Sequence, residues 1–341
     1  MTDPEAHKNH LLTISVVTPS FNQAVFLKRC LDSVAVQTYP ALEHLVYDPG
    51  STDGSIKILD KYTGVTLFNE PDNGQADAVS KGIERSRGDI IAWVNSDDAY
   101  SNPDVFSKIV ARFQQEDQPD IVYGKGIYTD ANFNELKDAY INTNPETLSD
   151  RLQYGVSILQ PAVFIKRDVF SKIGLLRTHR HFTMDYDLWI RAVKAGLSFA
   201  YLDEDLAFAS YYPDNKTFSR RGESYLEICD LMKEHFGYVH EYWLSRYAEF
   251  LVDGHDGVIR YQTVKQRPNP EAFAEQFRTL MVAFNGDILT RNHPERQSNP
   301  NINQTLEKLE SLESVASERC IQIPDGQRAP EGYVSYRVGT R

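Results

Sequence analysis

Gly88-Asp89-Ile90-Ile91-Ala92-Trp93-Val94-Asn95-Ser96-Asp97-Asp98 is the stretch on which the fold turns. Its apolar part is short, rich in β-branched residues and bounded by Gly-Asp, so 90–94 reads as a buried strand. Two carboxylates follow almost at once. In an open α/β sheet, the carboxyl ends of the strands are the edge where ligands bind. Adjacent like charges there are costly unless something positive neutralises them. A hard divalent cation with oxygen ligands does so, and it holds a substrate phosphate as well. The competing reading is a solvated Asp-Asp turn, and the dipeptide alone does not choose between them.

The flanking sequence alternates strand and helix signals. Residues 13–18 form an apolar run stopped by Pro19, and Phe26, Leu27, Cys30, Leu31, Val34 and Ala35 then recur at helical spacing. Strands are expected at 43–47, 65–68 and 120–123, and helices at 55–62, 76–86 and 103–115. A βαβ series of this kind predicts a Rossmann-like, mostly parallel sheet flanked by helices on both faces. Past residue 125 the texture changes. A hairpin is expected over 125–140 around Asp130-Ala131-Asn132-Phe133-Asn134, and short helices over 148–154 and 167–173. An amphipathic helix is expected over 184–195, with Leu188, Trp189, Ala192 and Val193 on one face. From 223 onward the pattern is helical and rich in aromatics, with further helices at 271–285 and 303–318 and an extended Pro/Gly-rich tail after 323. Those aromatics recur at helical spacing, which favours a packing core over a sugar platform.

Bulk properties narrow the classes. The chain has 341 residues, 41% of them hydrophobic and 25% charged, which suits one or two soluble domains. A formal net charge of −12 with no basic patch argues against a nucleic-acid partner. It leaves room for an anionic small substrate, because a bound cation inverts the local field. Cys30, Cys229 and Cys320 are far apart and form neither a metal spacing nor a disulfide framework. Buried thiols in a reducing cytoplasm are the expectation. Residues 1–10 are polar, so no secretory signal is expected, and no run of about 18 apolar residues suggests a membrane span. Peripheral contact with the inner face of a membrane stays open, since an acceptor can itself be a lipid.

Every early strand ends in small polar residues. The first ends in Thr18-Pro19-Ser20-Phe21-Asn22, the second in Asp48-Pro49-Gly50-Ser51-Thr52-Asp53-Gly54-Ser55. The third runs into Asn69-Glu70-Pro71-Asp72-Asn73-Gly74-Gln75, and the fourth ends in Asn95-Ser96-Asp97-Asp98. In a parallel sheet these ends line one polar crevice. Glycines such as Gly50 let backbone come close to a ligand. Each segment alone is ordinary turn and cap chemistry; all four together are not.

In this order, "TPSFN", "DPGSTDGS", "EPDNGQADAVSKGI", "GDIIAWVNSDD", "QPAVF" and "MDYDLWIRA" resemble the family 2 glycosyltransferases of the GT-A fold, over roughly residues 12–217. The resemblance implies a nucleotide-sugar donor, inverting transfer and a divalent cation, Mn²⁺ or Mg²⁺. The family's Asp-x-Asp position falls on Ser96-Asp97-Asp98, which makes Asp98 the metal ligand and puts Ser96 where the first acid usually stands. Asp48 becomes the base-binding acid. Thr18, Pro19, Ser20 and Asn22 border the nucleotide, with Gly50, Ser51, Gln75, Asp77, Asn95 and Asp97 completing the donor side. The catalytic position falls on Asp185, at the start of the 184–195 helix, as the base that takes the acceptor proton. An N-cap role is its ordinary alternative. Asp187, two residues on, points elsewhere and is taken as structural or acceptor-binding.

One departure stands out. Relatives often carry a His-Pro-x-x-Lys-Ser/Thr segment after the last core strand; here the sequence is Tyr212-Pro213-Asp214-Asn215-Lys216-Thr217. A protonated tyrosine is a poor cation ligand but hydrogen-bonds phosphate. Lys216 either reaches the diphosphate or is a solvated lysine. His179, Arg180 and His181 either close over a phosphate or form an exposed loop. Gln160 and Pro161 are assigned to the acceptor side. The domain expectation is a polar extension over 1–11 and a transferase domain over 12–222. Within it, 12–125 is the nucleotide-sugar half and 126–222 the acceptor half. A helical region over 223–341 follows, able to bury a homo-oligomer interface.

The functional expectation is a non-processive inverting transferase. Its donor is a nucleotide-sugar, with UDP as the default, and its acceptor a saccharide or lipid-linked saccharide in bacterial surface polysaccharide or glycoconjugate assembly. A sugar-phosphate nucleotidyltransferase fits less well, because Thr18-Pro19-Ser20-Phe21-Asn22 lacks a Gly-rich basic loop. A silent nucleotide-sugar binder or assembly subunit is kept open by Ser96 and Tyr212, and opposed by Asp98 and Asp185.

Overall fold

The computed structural model describes residues 11–254 and 270–286. The chain divides into two compact units, one built from residues up to 152 together with 156–219, the other from 153–155 together with residues from 220 onward. The expected helix over 303–318, the tail after 323, Cys320 and the first ten residues lie outside the described residues.

The first unit is a mixed α/β sheet of nine strands. Strands β1 (Ile14–Pro19), β2 (Glu43–Tyr47), β3 (Val65–Phe68) and β4 (Ile90–Trp93) are wholly parallel, in the order β3-β2-β1-β4. All residues of β1 and β4 are buried, as strands covered by helices on both faces must be. Between them run α1 (Ala24–Ala35), α2 (Ser55–Leu59) and α3 (Gln75–Arg85). Leu27, Leu31 and Val46 pack with Leu59 in one core cluster, and Ile14, Val16, Cys30, Ile90 and Ala92 belong to a larger one.

Beyond β4 come β5 (Ala99–Tyr100), α4 (Val105–Phe113), β6 (Ile121–Thr129), β7 (Glu135–Asp138), α5 (Leu148–Arg151), β8 (Val163–Lys166), α6 (Val169–Ile173), α7 (Met184–Lys194), β9 (Phe199–Ser210) and α8 (Lys216–Ser219). Here the sheet is mixed, continuing β4-β8-β6-β9-β5, with β8 antiparallel to both neighbours and β6 parallel to β9. The strand expected over 120–123 therefore runs on to Thr129, because β9 pairs with it along that length. Gly124 and Gly126, which break the local strand signal, are there because neighbours come close. A Cβ at Gly124 would stand 2.5 Å from Leu206 Cδ1, and one at Gly126 2.6 Å from the Ala207 carbonyl oxygen. The 125–140 hairpin is present as β6–β7. Its turn is held by Asp130, which accepts from the amides of Asn132 (2.8 Å) and Asn134 (2.9 Å).

The second unit holds α9 (Arg221–Phe236), α10 (Glu241–Asp253) and α11 (Pro270–Asn285). Its aromatics form a packing core. Tyr225 and Tyr238 are fully buried, and Tyr225 stacks on Tyr247 at 5.6 Å between ring centroids. Asn285 closes the unit by accepting from the Val239 amide at 2.8 Å and donating to its carbonyl at 2.9 Å.

Candidate active site

The four parallel strand ends meet at one edge of the first unit. At the end of β2, Asp48 is fully buried. One of its oxygens accepts from the amides of Gly50 (3.0 Å) and Ser51 (2.7 Å), and the other from the Ser51 hydroxyl (2.7 Å). Gly50 makes the turn possible at φ +115°, a region other residues rarely adopt. Asn22, in the left-handed region at φ 52°, ties the β1 end to this loop. Its amide donates to Ser51 Oγ at 2.7 Å, and its Oδ1 accepts from the Thr52 amide at 2.9 Å. Between them lies Ser20, whose buried hydroxyl has no hydrogen-bond partner among the described residues. Buried polar groups are almost always satisfied, so this orphan at a ligand-binding edge is a signal in its own right.

Thr18 and Asp77 are not brought to this edge by their side chains. Thr18 is fully buried with its hydroxyl 3.0 Å from His44 Nε2; burial lowers the His44 pKa to about 4. Asp77 accepts from the Asn73 amide at 2.9 Å and pairs with Lys81 at 3.1 Å. It serves the first turn of α3, where an acid is favoured by the helix dipole.

The end of β4 is the densest polar network in the unit. Asn95 uses its whole amide. Its Oδ1 accepts from Gln75 Nε2 (2.8 Å) and Trp93 Nε1 (2.9 Å), and its Nδ2 donates to Asp98 Oδ2 (3.1 Å) and Gln160 Oε1 (2.9 Å). Gln160 in turn donates to the Trp93 carbonyl at 2.7 Å. Asp98 is 7% exposed and accepts from the Ser210 amide at 2.9 Å. Ser96 is buried beside it. The Ser210 hydroxyl donates to the Asp97 carbonyl, and the Tyr212 hydroxyl to Asp97 Oδ2 at 3.2 Å. Burial raises the pKa of both carboxyls, and the Asp97 charge drives Asp98 further up. Two carboxylates thus share a site that pays heavily for their ionisation.

Tyr212 is fixed from the other side by stacking on Phe26, with 4.9 Å between centroids. Burial and the Asp97 charge raise its pKa, so its proton is held. Lys216 donates to Gln75 Oε1 at 3.5 Å and lies 5.6 Å over the Phe182 ring. The chain of contacts Asp98–Asn95–Gln75–Lys216–Phe182 therefore leads to the segment that opens α7.

In that segment, from Thr183 to Ile190, Asp185 alone is not buried. Its Oδ1 accepts from the Tyr186 amide at 2.8 Å. Asp187 faces the opposite way and is fully buried, 2.7 Å from Arg191 Nε and 3.4 Å from Arg177. Arg191 also donates to the carbonyls of Ile173, Gly174 and Leu175. That makes Asp187 a structural residue clamping the 173–177 loop to α7. The basic cluster divides: Arg180 is buried, whereas His179 and His181 are exposed.

Three participants escape a sequence reading. Trp93 and Ser210 hold Asn95 and Asp98. Arg29 of α1 lies 4.2 Å over the Phe133 ring and 4.9 Å over the Phe208 ring, and its charge acts on Asp98. Only the position of Arg29 on the flank of the α1 apolar stripe could have hinted at its burial.

The donor set suits a divalent cation that shares its shell with substrate. Among the described residues no group of three or more His, Cys, Asp or Glu side chains forms a closed cage. Buried Asp98 and partly buried Asp97 supply hard oxygens, and Mg²⁺-like ions take one or two carboxylates plus substrate phosphates.

Residues 15–174 match the model of the family described as Glycosyl transferase family 2. A PGL/p-HBAD biosynthesis glycosyltransferase of Mycobacterium bovis is 28% identical over 182 residues, covering 52% of this chain and 68% of its own. An uncharacterized glycosyltransferase of Rickettsia typhi is 25% identical over 218 residues, covering 60% and 65%. Among solved structures, Staphylococcus aureus TarS 1-349 in complex with UDP superposes with a TM-score of 0.52 at 18% identity, covering 94% of this chain and 98% of that one. Against a longer TarS chain the coverage is 88% and 49%, so this chain spans about half of it. No helix of the described residues is long and apolar enough to cross a membrane.

Proposed function

Because this chain belongs to glycosyl transferase family 2, we propose that it moves a sugar from a nucleotide-diphosphate sugar to an acceptor hydroxyl, with inversion at the anomeric carbon. The observation that carries this is the Asp97–Asp98 pair at the end of a central parallel strand, Asp98 buried and Asp97 partly buried, held by Asn95, Ser210 and Tyr212. A uridine donor is the first choice, in line with TarS structures bound to UDP and UDP-GlcNAc. The acceptor is a saccharide or lipid-linked saccharide. Residues 12–222 form the transferase domain, and the described residues beyond 222 an accessory helical region.

The contacts support the following roles. The Asp48 loop and Asn22 present an ordered rim to the base, and the unpartnered Ser20 hydroxyl is free to bond the nucleotide. Asp97 and Asp98 would hold a divalent cation, Mn²⁺ or Mg²⁺, whose Lewis acidity offsets the charge of the departing diphosphate. The Tyr212 hydroxyl positions Asp97, and Lys216, linked through Gln75 to Asn95, would donate to phosphate oxygen. Asp185, the one accessible carboxylate of its helix turn, takes the acceptor proton as that oxygen bonds the anomeric carbon and the bond to the diphosphate breaks.

Asp185→Asn tests the assignment. It is expected to lower kcat by about 10²-fold or more while leaving nucleotide affinity, measured by calorimetry, unchanged. Full activity in the variant would remove Asp185 from the reaction.

A further inference from the structure

Asn95 and Gln160 stand at the edge where substrate is expected, yet their amides are turned inward. A primary amide offers two N–H donors and one oxygen with two lone pairs. Asn95 uses all four: its Oδ1 accepts from Gln75 and Trp93, and its Nδ2 donates to Asp98 and Gln160. Gln160 is 8% exposed and spans from Asn95 to the Trp93 carbonyl. It reaches that point because β8, which follows the short helical turn Gln160–Ala162, pairs antiparallel with β4. The direction of these bonds is dictated by Trp93. An indole N–H only donates and a backbone carbonyl only accepts. The indole therefore requires the oxygen of Asn95, at 2.9 Å, and the carbonyl requires the nitrogen of Gln160, at 2.7 Å. Both choices agree where the two amides meet, Asn95 Nδ2 donating to Gln160 Oε1 at 2.9 Å. They leave an N–H, and not an oxygen, to face Asp98 Oδ2 at 3.1 Å. The same polarity turns the oxygen of Gln75 away from Asn95, toward Lys216.

We propose that Gln160 is a positioning residue and not an acceptor contact: with its polarity set by Trp93, it clamps the Asn95 amide so that Asp98 is held in one orientation for a cation. The other oxygen of Asp98, Oδ1, accepts from the Ser210 amide at 2.9 Å. Each carboxylate oxygen is thus fixed by one donor and keeps further lone-pair capacity for a metal ion. Removing a hydrogen-bonded support of a metal-binding group costs about tenfold or more in affinity. The effect on the cation rests on the donor-site reading above; the clamp itself does not.

The experiment has two arms on the full chain. The first measures UDP affinity by calorimetry, with and without Mn²⁺, in wild type, Gln160→Met, Asp98→Asn and the double variant. Gln160→Met is expected to weaken UDP binding about tenfold with Mn²⁺, to leave it unchanged without Mn²⁺, and to have no further effect in the Asp98→Asn background. Unchanged affinity with Mn²⁺, as an acceptor contact would give, would overturn the proposal, and so would a loss that is independent of Mn²⁺ or equal in both backgrounds. The second arm is urea unfolding of the ligand-free protein in a double-mutant cycle of Gln160→Met and Asn95→Leu. The two destabilisations are expected to be clearly non-additive, and additive ones would overturn the clamp. Wild type supplies a check that needs no folded variant: by NMR the side-chain N–H protons of Asn95 are expected to exchange slowly with water, and exchange as fast as that of an exposed asparagine would overturn the clamp. Non-additive unfolding together with no UDP binding by wild type, with or without Mn²⁺, would uphold the clamp and overturn the donor-site reading instead.

Discussion

Asp48 and Asp98 occupy matching places, each buried just beyond a parallel strand of the same sheet, and their surroundings differ. Asp48 is wrapped by its own loop, which gives it two amides and a hydroxyl. Asp98 receives one amide from β9 and one side-chain donor from Asn95, and it sits next to a second carboxylate. The first is an oriented acceptor that is complete without a ligand. The second is a buried acid held by one donor from its own loop and one from β9, and its nearest neighbour in sequence is another raised carboxyl. Burial alone does not mark an acid as catalytic or structural; the source of its hydrogen bonds does.

The contrast is sharpest in activity. Asp98→Asn is expected to cut kcat by roughly 10²–10³-fold, the size of losing several kcal/mol of charge stabilisation, and to abolish the cation dependence of nucleotide binding. Steady-state kinetics over a Mn²⁺ series checks it. Asp48→Asn acts differently. It leaves loop donors unsatisfied, and is expected to cost about 1–3 kcal/mol of stability and to weaken nucleotide binding equally with and without cation. Paired denaturation and calorimetry separate these outcomes, and a cation-dependent loss in Asp48→Asn would erase the distinction.

The remaining effects lie in the pH dependence of stability. The Asp97–Asp98 carboxyls are raised in the folded state. Their contribution is fully present below the ordinary carboxylate range and is lost as pH rises through the raised values. Asp98→Asn should flatten that loss. His44 works in the opposite sense: its folded value of about 4 lies below the ordinary 6.5. Its contribution is present above 6.5 and lost as pH falls through about 4, with each unit of difference worth about 1.4 kcal/mol. Urea unfolding of wild type and His44→Gln from acid to neutral pH resolves the two, and identical profiles would contradict the buried neutral imidazole.

The strand ends were legible because each apolar run is short and punctuated by Pro, Gly or Asp. Asp185 was singled out from its motif alone, and in the structure it is the one residue of its turn that is not buried. Thr18 was assigned to the nucleotide border from the motif; alternation along β1 turns its side chain inward with Val16, toward Cys30 and His44. Asp77 was assigned to the donor side, and its side chain is engaged by the Asn73 amide and Lys81; a first-turn acid and a ligand-binding acid look alike in sequence. Arg29 and Ser210 were out of reach, since their roles depend on the β5–β9 register, which joins residues more than a hundred positions apart. The length of β6 was hidden by Gly124 and Gly126, whose reason is crowding from β9 and Leu159.

The most direct test of the acid pair as the donor centre is the thermal unfolding of wild type and Asp98→Asn with UDP, with and without Mn²⁺. A ligand that binds only the folded chain raises the melting temperature by mass action. Wild type should gain stability from UDP and Mn²⁺ together, well beyond the sum of their separate effects, and Asp98→Asn should lose that synergy. A synergy that persists in Asp98→Asn, or one absent from wild type with UDP and equally with GDP, dTDP and CMP, would contradict the account.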